Sequence, residues 1–592
     1  MWEIGFVLAL TLVAVVLFVT EKFSTDVVAV LVMVVLLVSG ILTPAEGFNG
    51  FANPATITVG AMFVLSAGLF RAGAVNFLGR ALRRLARRSS TLMLLVMMLG
   101  VGVLSFFLNN TATVAILIPV TMVVAQRVST SPSKLLMPLS FASMFGGMCT
   151  VLGTSTNILA SSMAQTAGLE PFGMFEFSKL GLIFFAVGVI YMMTVGRKII
   201  PEHRTAGDLT KTFGLGDYLT ELQLHEESPL VGQSLASAPL LEEFDIEVLQ
   251  IIRGKDTLRP TARTELHKHD LLRIKGDLRT INELKERAQA TLGMHIKWQD
   301  SDLESKDSKL VEAIVGPSSP LAGRSLVESN PRKNYGVSVL AIRHHGALRH
   351  GELQNTKLMS GDTLLIEVPD SRIAYLIQQR VFLLASSAGI PRFDGAKAVK
   401  GLVIIVSVVV SAAFGWLSIA SAAATGALLI VLSRCISMEE AYTAIEWNVL
   451  FLLAGMLALS VAMEKTGTSA MLAQGIIDVF GTMGPVALVA AFFGVTMVLT
   501  AVMSNQATVA LLIPVAITTA YSLDANPRTF MFAVMFAASS SFMTPVGYQT
   551  NTMIYGPGQY RFKDFIRVGT PLTLIFWVLG TLLIPWFWPL YG

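Results

Sequence analysis

The chain has 592 residues, of which 53% are hydrophobic and only 14% are charged, and apolar runs of about 20 residues recur along it. This composition indicates a polytopic membrane protein and is not typical of a soluble enzyme. The net charge of +4 is dispersed or flanks apolar segments, so nucleic-acid binding is not predicted, and the two cysteines predict neither a disulfide framework nor a thiolate metal site.

Residues 1–200 are predicted to form the first of two membrane repeats. Apolar helices are expected at about 4–20, 24–42 and 55–73, and the first lacks the basic start and cleavage site of a signal peptide, so it is expected to be retained. The basic amphipathic stretch 80–88 is predicted to lie on the surface of the lipid bilayer, where its arginines meet anionic headgroups.

Two polar interruptions follow within apolar residues. Asn109, Asn110 and Thr111 divide residues 91–127, which predicts a re-entrant hairpin with these three residues at its tip. Residues 153–157 predict a break inside a long helix. Polar groups at membrane depth are costly unless they line a cavity, so a binding site is favoured; the alternative is that they only join helices by hydrogen bonds.

Residues 201–397 hold all eight histidines and most of the charged residues, which predicts a soluble insert. The insert contains its own repeat, and alternating apolar runs followed by helical patterns predict two small α+β domains, at 205–298 and 305–395. The repeated segments are 229–235 with 320–326 and 270–274 with 362–366.

These two domains resemble TrkA-C domains, the C-terminal lobes of potassium-conductance regulators. The resemblance motivates the hypothesis of a small cytosolic nucleotide effector such as a cyclic dinucleotide; the alternative is that the insert only braces a dimer. No strand-flanked Gly-x-Gly-x-x-Gly occurs, so neither NAD nor another organic cofactor is predicted. His267, His269, His344 and His345 are expected to be solvated rather than to bind a metal.

Residues 398–592 are predicted to form the second membrane repeat, with a second re-entrant hairpin at about 484–521. Matched Asn, Thr, Gly and Pro recur there in one order, which apolar composition alone does not explain. The matched segments are 66–73 with 460–467, 109–119 with 504–514, and 150–157 with 544–551. Polar clusters in corresponding places of two halves point to the binding site of a transporter.

The orientation of the halves follows from their basic residues. Five full crossings in each half, an odd number, would insert the second half inverted relative to the first. Arg127, Arg434 and Arg561 are among the basic residues at predicted cytoplasmic ends, whereas the short external loops hold only Lys465 and Arg528. The insert is therefore predicted to be cytoplasmic and both termini external, and the two hairpin tips are expected to meet near the midplane.

The tips are predicted to hold an anion beside Na+. The helices that follow Thr111 and Gln506 begin with free N–H groups and a positive dipole end, which attract anions. Asn, Ser and Thr oxygens suit a small alkali cation. No histidine lies in either membrane half and the acids there fall near the ends of apolar runs, so sodium is favoured over protons as the coupling ion.

The tips at 109–111 and 504–506, with the breaks at 153–157 and 544–547, resemble the divalent anion:sodium symporter family of the ion transporter superfamily. The resemblance implies an α-helical polytopic membrane protein with inverted repeats and two re-entrant hairpins. It also implies a homodimer in which a transport domain moves as an elevator against a fixed scaffold. Members of that family take up dicarboxylates, citrate or sulfate with sodium.

Carried over by motif, the resemblance implies two sets of ligands. The substrate set is Asn109, Asn110, Thr111, Ser504, Asn505, Gln506, Pro545 and Gly547. The sodium set is Ser105, Asn110, Gly153, Thr154, Asn157, Thr500, Asn505, Thr544 and Asn551. Asn109 and Gln506 depart from the family's Ser-Asn-Thr tips, and the TrkA-C-like pair together with the Gly-Thr-Ser-Thr-Asn break is more similar to the family's sulfate-uptake branch.

The predicted function is therefore sodium-coupled import of a small divalent anion, sulfate first, across the inner membrane. One alternative is a sodium-coupled C4-dicarboxylate or citrate carrier. Another, from a different class, is an anion-sensing membrane regulator without net transport. An enzyme is not predicted, because the histidines are confined to the insert and no nucleophile-elbow pattern accompanies them.

Overall fold

A computed structural model describes most of the chain. The described residues are 2–20, 23–71, 82, 89–128, 130–202, 219–237, 246–254, 256–258, 261, 263–275, 278–292, 308–316, 319–344, 347–349, 353–378, 381–384 and 395–591. Apart from Leu82, the basic stretch 80–88 lies outside them, as does His345. The chain divides into two compact units, Met1–His203 with Ile390–Gly592, and Arg204–Gly389.

The first half of the membrane unit is helical. Its helices are Trp2–Thr20, Thr25–Val38, Pro44–Ala52, Pro54–Arg71, Ser90–Ser105, Asn110–Arg127, Ser133–Gly147, Ser155–Thr166 and Ser178–Tyr191, the last continuing through a π-helical turn at Met192–Gly196 into Arg197–Ile199. Side-chain caps start several of them; Thr43 and Glu46, for example, form a reciprocal capping box before Pro44.

The second half has helices in a corresponding order. They are Gly395–Ala413, Ile419–Leu432, Met438–Ala444, Trp447–Thr466, Thr468–Phe480, Pro485–Thr500, Asn505–Ser522, Pro527–Ser539, Gln549–Tyr555 and Phe562–Phe587. In both halves a short helix precedes a long one, two helices follow that are joined by a short polar segment, and a break leads to the last helices.

Fewer unbroken spans occur than the five crossings per half that the sequence predicts. In the described part of the chain, six helices are long and apolar enough to cross a membrane: Trp2–Thr20, Pro44–Leu69, Ser178–Ile199, Ala396–Ala413, Trp447–Thr466 and Phe562–Phe587. Thr25–Val38 and Ile419–Leu432 are each 14 residues long with no tip or break beside them, and elsewhere the polar tips and breaks divide apolar segments into shorter helices. The shortest of these, Gln549–Tyr555, has 7 residues.

The helices of the two halves pack in reciprocal pairs. Thr25–Val38 packs against Trp447–Thr466, and Pro54–Arg71 packs against Ile419–Leu432. The backbones approach closely where glycine allows it, since a Cβ on Gly455 would lie 2.4 Å from the Ala29 carbonyl oxygen. The halves are therefore intertwined in one unit.

Phenylalanines form a buried cluster behind the broken segments. The Phe542 ring lies 5.4 Å from Phe145 and 5.5 Å from Phe576, and Phe184 lies 4.2 Å from Phe576, as measured between ring centroids. These residues come from both halves and are buried or nearly so. Because aromatic rings in such contacts are hard to displace, the cluster holds the segment around Phe542 in place.

Polar links also join the halves outside the tips. The Met137 N–H donates to the Tyr560 hydroxyl at 2.8 Å, and Tyr560 is fully buried. Arg528 Nη1 donates to both Glu176 carboxylate oxygens, at 2.6 and 2.8 Å, and the Trp588 indole donates to the same carboxylate at 3.2 Å.

The second unit contains two five-stranded antiparallel sheets. The first is formed by Leu219–Leu224, Glu247–Arg253, Asp256–Leu258, Leu271–Lys275 and Ala290–Leu292, with helix Leu278–Arg287. The second is formed by Ser308–Ile314, Ser338–His344, Ala347–Arg349, Thr363–Pro369 and Leu383–Leu384, with helices Leu326–Ser329, Pro331–Tyr335 and Asp370–Gln378. Numbered from its own first strand, each sheet has the order 3-2-4-1-5.

A buried aspartate occupies the same place in each of these domains. Asp270 accepts the His267 N–H at 2.8 Å and a bidentate pair of bonds from Arg253, both at 2.8 Å. Burial raises the pKa of Asp270, but these hydrogen bonds outweigh it and hold the pKa below its usual value. In the second domain Asp362 accepts the Met359 N–H at 2.8 Å and lies 2.8 Å from His344 Nδ1.

The environment of His344 differs from the sequence expectation. Its side chain is only 18% exposed and lies in an ion-pair position against Asp362, so the prediction that it is solvated is wrong. It stands at the end of its strand, where the first domain has Arg253.

Candidate functional site

The first tip (residues 106–111) joins helices Ser90–Ser105 and Asn110–Arg127. The Asn109 side-chain oxygen accepts the Thr111 N–H at 2.8 Å and the Ala112 N–H at 3.4 Å. This is the interaction of an N-cap residue, and it explains why the helix starts at Asn110. The other N–H groups of the first turn of this 18-residue helix have no partner within the helix.

The first break (residues 148–154) is held against the first tip by its own hydrogen bonds. The Thr150 hydroxyl donates to the Phe106 carbonyl and accepts the Gly153 N–H at 3.1 Å. The Asn157 amide donates to the carbonyls of Thr150 and Gly147, at 3.0 and 3.5 Å. Thr150 thus fixes the shape of the break and its position at the tip together.

The same bonds recur between the second tip (residues 501–506) and the second break (residues 540–548). The Thr544 hydroxyl donates to the Ala501 carbonyl at 2.8 Å and accepts the Gly547 N–H at 3.1 Å. The Asn551 amide donates to the carbonyls of Ser541 and Thr544, at 3.0 and 3.3 Å. Matched sequence segments therefore make matched contacts.

Ser504 starts the second tip helix, Asn505–Ser522. Its hydroxyl accepts the Ala507 N–H at 3.3 Å. Both long tip helices therefore begin at a capped polar residue that lies beside a break.

Each tip is also contacted by the helix that follows the break of the other half. The Thr111 hydroxyl donates to Gln549 Oε1 at 3.0 Å, and Gln506 Nε2 donates to the Ser155 hydroxyl at 3.0 Å. Thr111 and Gln506 occupy matched positions, as do Ser155 and Gln549. The sequence predicts that each break faces the tip of its own half; in the structure the break loop does so, while the following helix reaches across.

A third bond across the halves involves Asn110 and Tyr548. Asn110 Nδ2 donates to the Tyr548 hydroxyl at 2.7 Å. Asn110 is only 3% exposed, and its Oδ1 has no hydrogen-bond partner among the described residues. Ser105, the fully buried last residue of the helix before the tip, likewise has a hydroxyl without a partner in the described part of the chain.

The matched pair of the second tip is arranged differently. The Thr500 hydroxyl donates to Asn505 Oδ1 at 2.5 Å and also approaches the Ala538 carbonyl at 3.2 Å. Both side chains are buried, at 0% and 4% exposure. At the second tip the Thr500 hydroxyl and Asn505 Oδ1 are thus hydrogen-bonded to each other. The matched atoms of the first tip, Ser105 Oγ and Asn110 Oδ1, have no partner among the described residues.

The walls of the first tip lie very close to the Asn110 amide. A Cβ on Gly147 would lie 2.5 Å from Asn110 Nδ2, 2.8 Å from Asn110 Oδ1 and 2.8 Å from Thr154 Cγ2. A Cβ on Gly153 would lie 2.4 Å from the Gly147 carbonyl oxygen. Ser105, Asn110, Gly153 and Thr154, all in the predicted sodium set, therefore lie around one tip.

The other predicted residues lie at the same two places. Pro545 and Gly547 belong to the second break, where a Cβ on Gly547 would be 2.4 Å from the Thr500 carbonyl oxygen. Asn157 and Asn551 hold the breaks, and Asn551 Oδ1 accepts the Ser140 hydroxyl at 2.7 Å, so this amide oxygen is already occupied.

Four contact residues were missed by sequence reasoning: Ser140, Ser155, Tyr548 and Gln549. Ser155, Tyr548 and Gln549 lie inside the matched segments 150–157 and 544–551. Matched residues of unequal size, such as Thr154 and Tyr548, indicate positions where the two halves make different contacts.

The site offers neutral groups only. Residues 105–111, 147–157, 500–506 and 540–551 contain no Asp, Glu, Lys, Arg or His. In the described residues no group of three His, Cys, Asp or Glu that could hold a metal ion was found. Amide and hydroxyl oxygens can coordinate a hard monovalent cation, and N–H and O–H donors can bind an anion.

The family of the chain follows from comparison with known proteins. Residues 15–535 and 495–590 match the citrate transporter family CitMHS. The chain belongs to this family. It is therefore a membrane transporter, consistent with its several apolar helices.

Relatives of this CitMHS member extend over its whole length. An uncharacterized transporter of Synechocystis, sll0640, is 38% identical over 98% of this chain and 97% of its own. A putative sulfur deprivation response regulator of Chlamydomonas reinhardtii is 30% identical over 91% of this chain and 94% of its own. A probable sodium/sulfate cotransporter 3 of the same alga is 22% identical over 92% of this chain and 84% of its own.

Proposed function

We propose that the protein imports a small divalent anion together with sodium, and that sulfate is the first candidate. The observation that carries the proposal is the pair of buried oxygens at the first tip, Ser105 Oγ and Asn110 Oδ1, which have no hydrogen-bond partner among the described residues. Leaving buried acceptors unpaired costs free energy, whereas a small cation between them would satisfy both. Thr154 lies beside the Asn110 amide, since a Cβ on Gly147 would be 2.8 Å from both Asn110 Oδ1 and Thr154 Cγ2.

The anion is proposed to bind between the two tips. The N-termini of two 18-residue helices begin there, at Asn110 and Asn505, and their free N–H groups and dipole ends favour negative charge. Asn109, Thr111, Ser504 and the Gly547 backbone supply the neighbouring polar groups, whereas Pro545 lacks an N–H and its carbonyl accepts the Thr552 hydroxyl at 2.7 Å. Because no Arg or Lys is present at the tips, the bound cation contributes the positive charge that an oxyanion needs.

The choice of sulfate rests on the relatives. The algal protein named as a probable sodium/sulfate cotransporter covers nearly the whole chain, which supports sodium and sulfate as the transported pair. The family description favours citrate as the second candidate, and the sequence resemblance adds C4-dicarboxylates to it. The algal relative named as a sulfur deprivation response regulator favours the third, a sensor that binds the anion without net transport.

The remaining architecture is proposed on the same basis. Matched hydrogen bonds in the two halves support a repeat, and the distribution of basic residues supports its inversion. The family resemblance suggests two re-entrant hairpins and a homodimer that works as an elevator. The two sheets of equal strand order are proposed to be TrkA-C-like domains in the cytoplasm, with a nucleotide effector, and both chain termini are proposed to be external to the inner membrane.

Reconstituted transport tests the proposal. Liposomes containing the protein should take up labelled sulfate faster than labelled citrate or succinate, and only with an inward sodium gradient. Asn110→Ala and Asn505→Ala should each abolish this uptake, because each removes the side-chain carboxamide, with its oxygen and its NH2 group, from the start of one tip helix. Asn448→Ala, which changes an exposed asparagine outside the tips, is the matched control and should transport normally.

The outcomes separate the candidates. Preference for citrate or succinate would favour the second candidate, a citrate or C4-dicarboxylate carrier. Sodium-stimulated sulfate binding without uptake would favour the third, an anion sensor. Uptake that needs no sodium, or normal sodium-dependent uptake in both alanine variants, would refute the site assignment.

A further inference from the structure

Tyr548 stands at a position where a tyrosine does not help its own helix. It is the residue before helix Gln549–Tyr555, and its side chain makes no capping hydrogen bond. Ser, Thr, Asn and Asp are the residues that stabilise a helix from this position. The matched residue of the first half, Thr154, does cap its helix, by accepting the Asn157 N–H at 3.2 Å.

The tyrosine hydroxyl is used elsewhere. It reaches across to the first tip and accepts a hydrogen bond from Asn110 Nδ2 at 2.7 Å. A residue that breaks a local rule and makes a long-range contact instead is a candidate for a functional role.

In the structure this contact is made by the donor end of the Asn110 amide. An asparagine amide has a donor end and an acceptor end, and rotation by half a turn exchanges them. With the NH2 group held by the Tyr548 hydroxyl, Oδ1 is the end that lies in the tip, where it has no hydrogen-bond partner among the described residues. The opposite orientation would present N–H groups to a cation.

The second tip has a different solution. There Asn505 Oδ1 is held by the Thr500 hydroxyl at 2.5 Å, within its own hairpin. Among the described residues, the tip asparagine is thus held by a residue of the other half at the first tip, and by a residue of its own half at the second.

We propose that Tyr548 is a positioning residue for the cation site of the first tip. It orients the Asn110 amide so that Oδ1 faces the cation, and through this bond the second half of the chain sets the sodium affinity of the first. The inference rests on the proposed sodium coupling and adds a residue and a role to it.

Sodium-dependent thermal stability of the purified full-length protein provides the test. Sodium binding to the folded state raises the melting temperature, and a titration against a constant total of sodium and potassium gives the half-saturating concentration. Tyr548→Phe keeps the ring and removes only the hydroxyl, so this concentration should rise about tenfold, the factor that one net hydrogen bond contributes. Tyr555→Phe, on the same helix, should leave it unchanged.

A second background separates orientation from general packing. In Asn110→Asp both side-chain oxygens are acceptors, so the group presents an oxygen to a cation whichever way it turns. Adding Tyr548→Phe to this variant should not weaken sodium binding further. A tenfold loss in both backgrounds would mean a purely structural role for the hydroxyl and would overturn the inference.

Two other outcomes are also decisive. If the wild type is stabilised by sodium and Tyr548→Phe titrates like it, the inference fails while the proposed function stands. If the wild type itself shows no sodium-dependent stabilisation, sodium coupling fails and the inference fails with it.

Discussion

Replacing Gly147 by alanine is the most direct structural test of the first tip. Gly147 ends helix Ser133–Gly147, and its missing side chain is what allows the Asn110 amide to lie where it does. An added Cβ would be 2.5 Å from Asn110 Nδ2, against 3.4–4 Å for an ordinary contact. Backbone propensity would not explain a loss, because alanine favours a helix more than glycine does.

The size of the effect follows from this distance. The Asn110 amide must retreat by about 1 Å, and a displacement of that size away from Tyr548 would take its 2.7 Å bond beyond hydrogen-bonding range. Overpacking costs about 1–3 kcal/mol, and a lost hydrogen bond about 1 kcal/mol more. If this strain is relieved when the amide leaves the cation site, sodium affinity should fall roughly 30- to 700-fold.

The assay is sodium-dependent uptake of labelled sulfate into liposomes, with sodium titrated at fixed anion. Gly475→Ala is the matched control, because a Cβ there meets nothing within 4 Å and the substitution should leave uptake unchanged. Size-exclusion chromatography shows whether each variant is folded. A folded Gly147→Ala protein with wild-type sodium dependence would refute the placement of the Asn110 amide in the site.

Two further predictions concern ion pairs outside the tips. Glu176→Gln should lower the melting temperature of the full chain by a few degrees, because Arg528 and the carboxylate are both mostly buried; additivity with Arg528→Gln in a double-mutant cycle would contradict a direct pairing. In the insert, the lowered pKa of Asp270 means that its stabilisation is present above the unfolded pKa of about 3.9 and is lost as pH falls through the folded value. Protection of Leu271–Lys275 against hydrogen exchange, corrected for the intrinsic pH dependence, should fall in that range, and Asp270→Asn should lower it by about 1–3 kcal/mol at pH 7.

The tips and breaks were predictable because the chain repeats them. Polar residues at matched places in two apolar halves predict a tip at 109–111 and a break at 153–157. A helix begins at Ser155, so the first break lies a few residues earlier than predicted, and the bonds that Thr150 and Thr544 make are equivalent. The strand pattern and internal repeat of the insert were equally readable, since period-two alternation is a local property.

The contacts across the halves were not predictable in the same way. A repeat aligns equivalent residues, whereas Asn110 and Tyr548 are not equivalent and meet only through the three-dimensional packing of the halves. Single-residue expectations also fail where a partner is distant in sequence. His344 was expected in solvent because no carboxylate lies near it in the sequence at a fitting spacing. Its partner Asp362 is 18 residues away.

The two bonds that join Thr111 to Gln549 and Gln506 to Ser155 have an evolutionary consequence. Each joins one long amide to one short hydroxyl over the same 3.0 Å, but the long partner sits on the tip in one case and on the crossing helix in the other. At this fixed distance, a longer side chain on one member of a pair requires a shorter one on its partner in the opposite half. We therefore expect covariation between positions 111 and 549 and between positions 506 and 155. A chimera that takes its two membrane halves from different relatives should lose transport unless both residues of each pair are taken from the same relative.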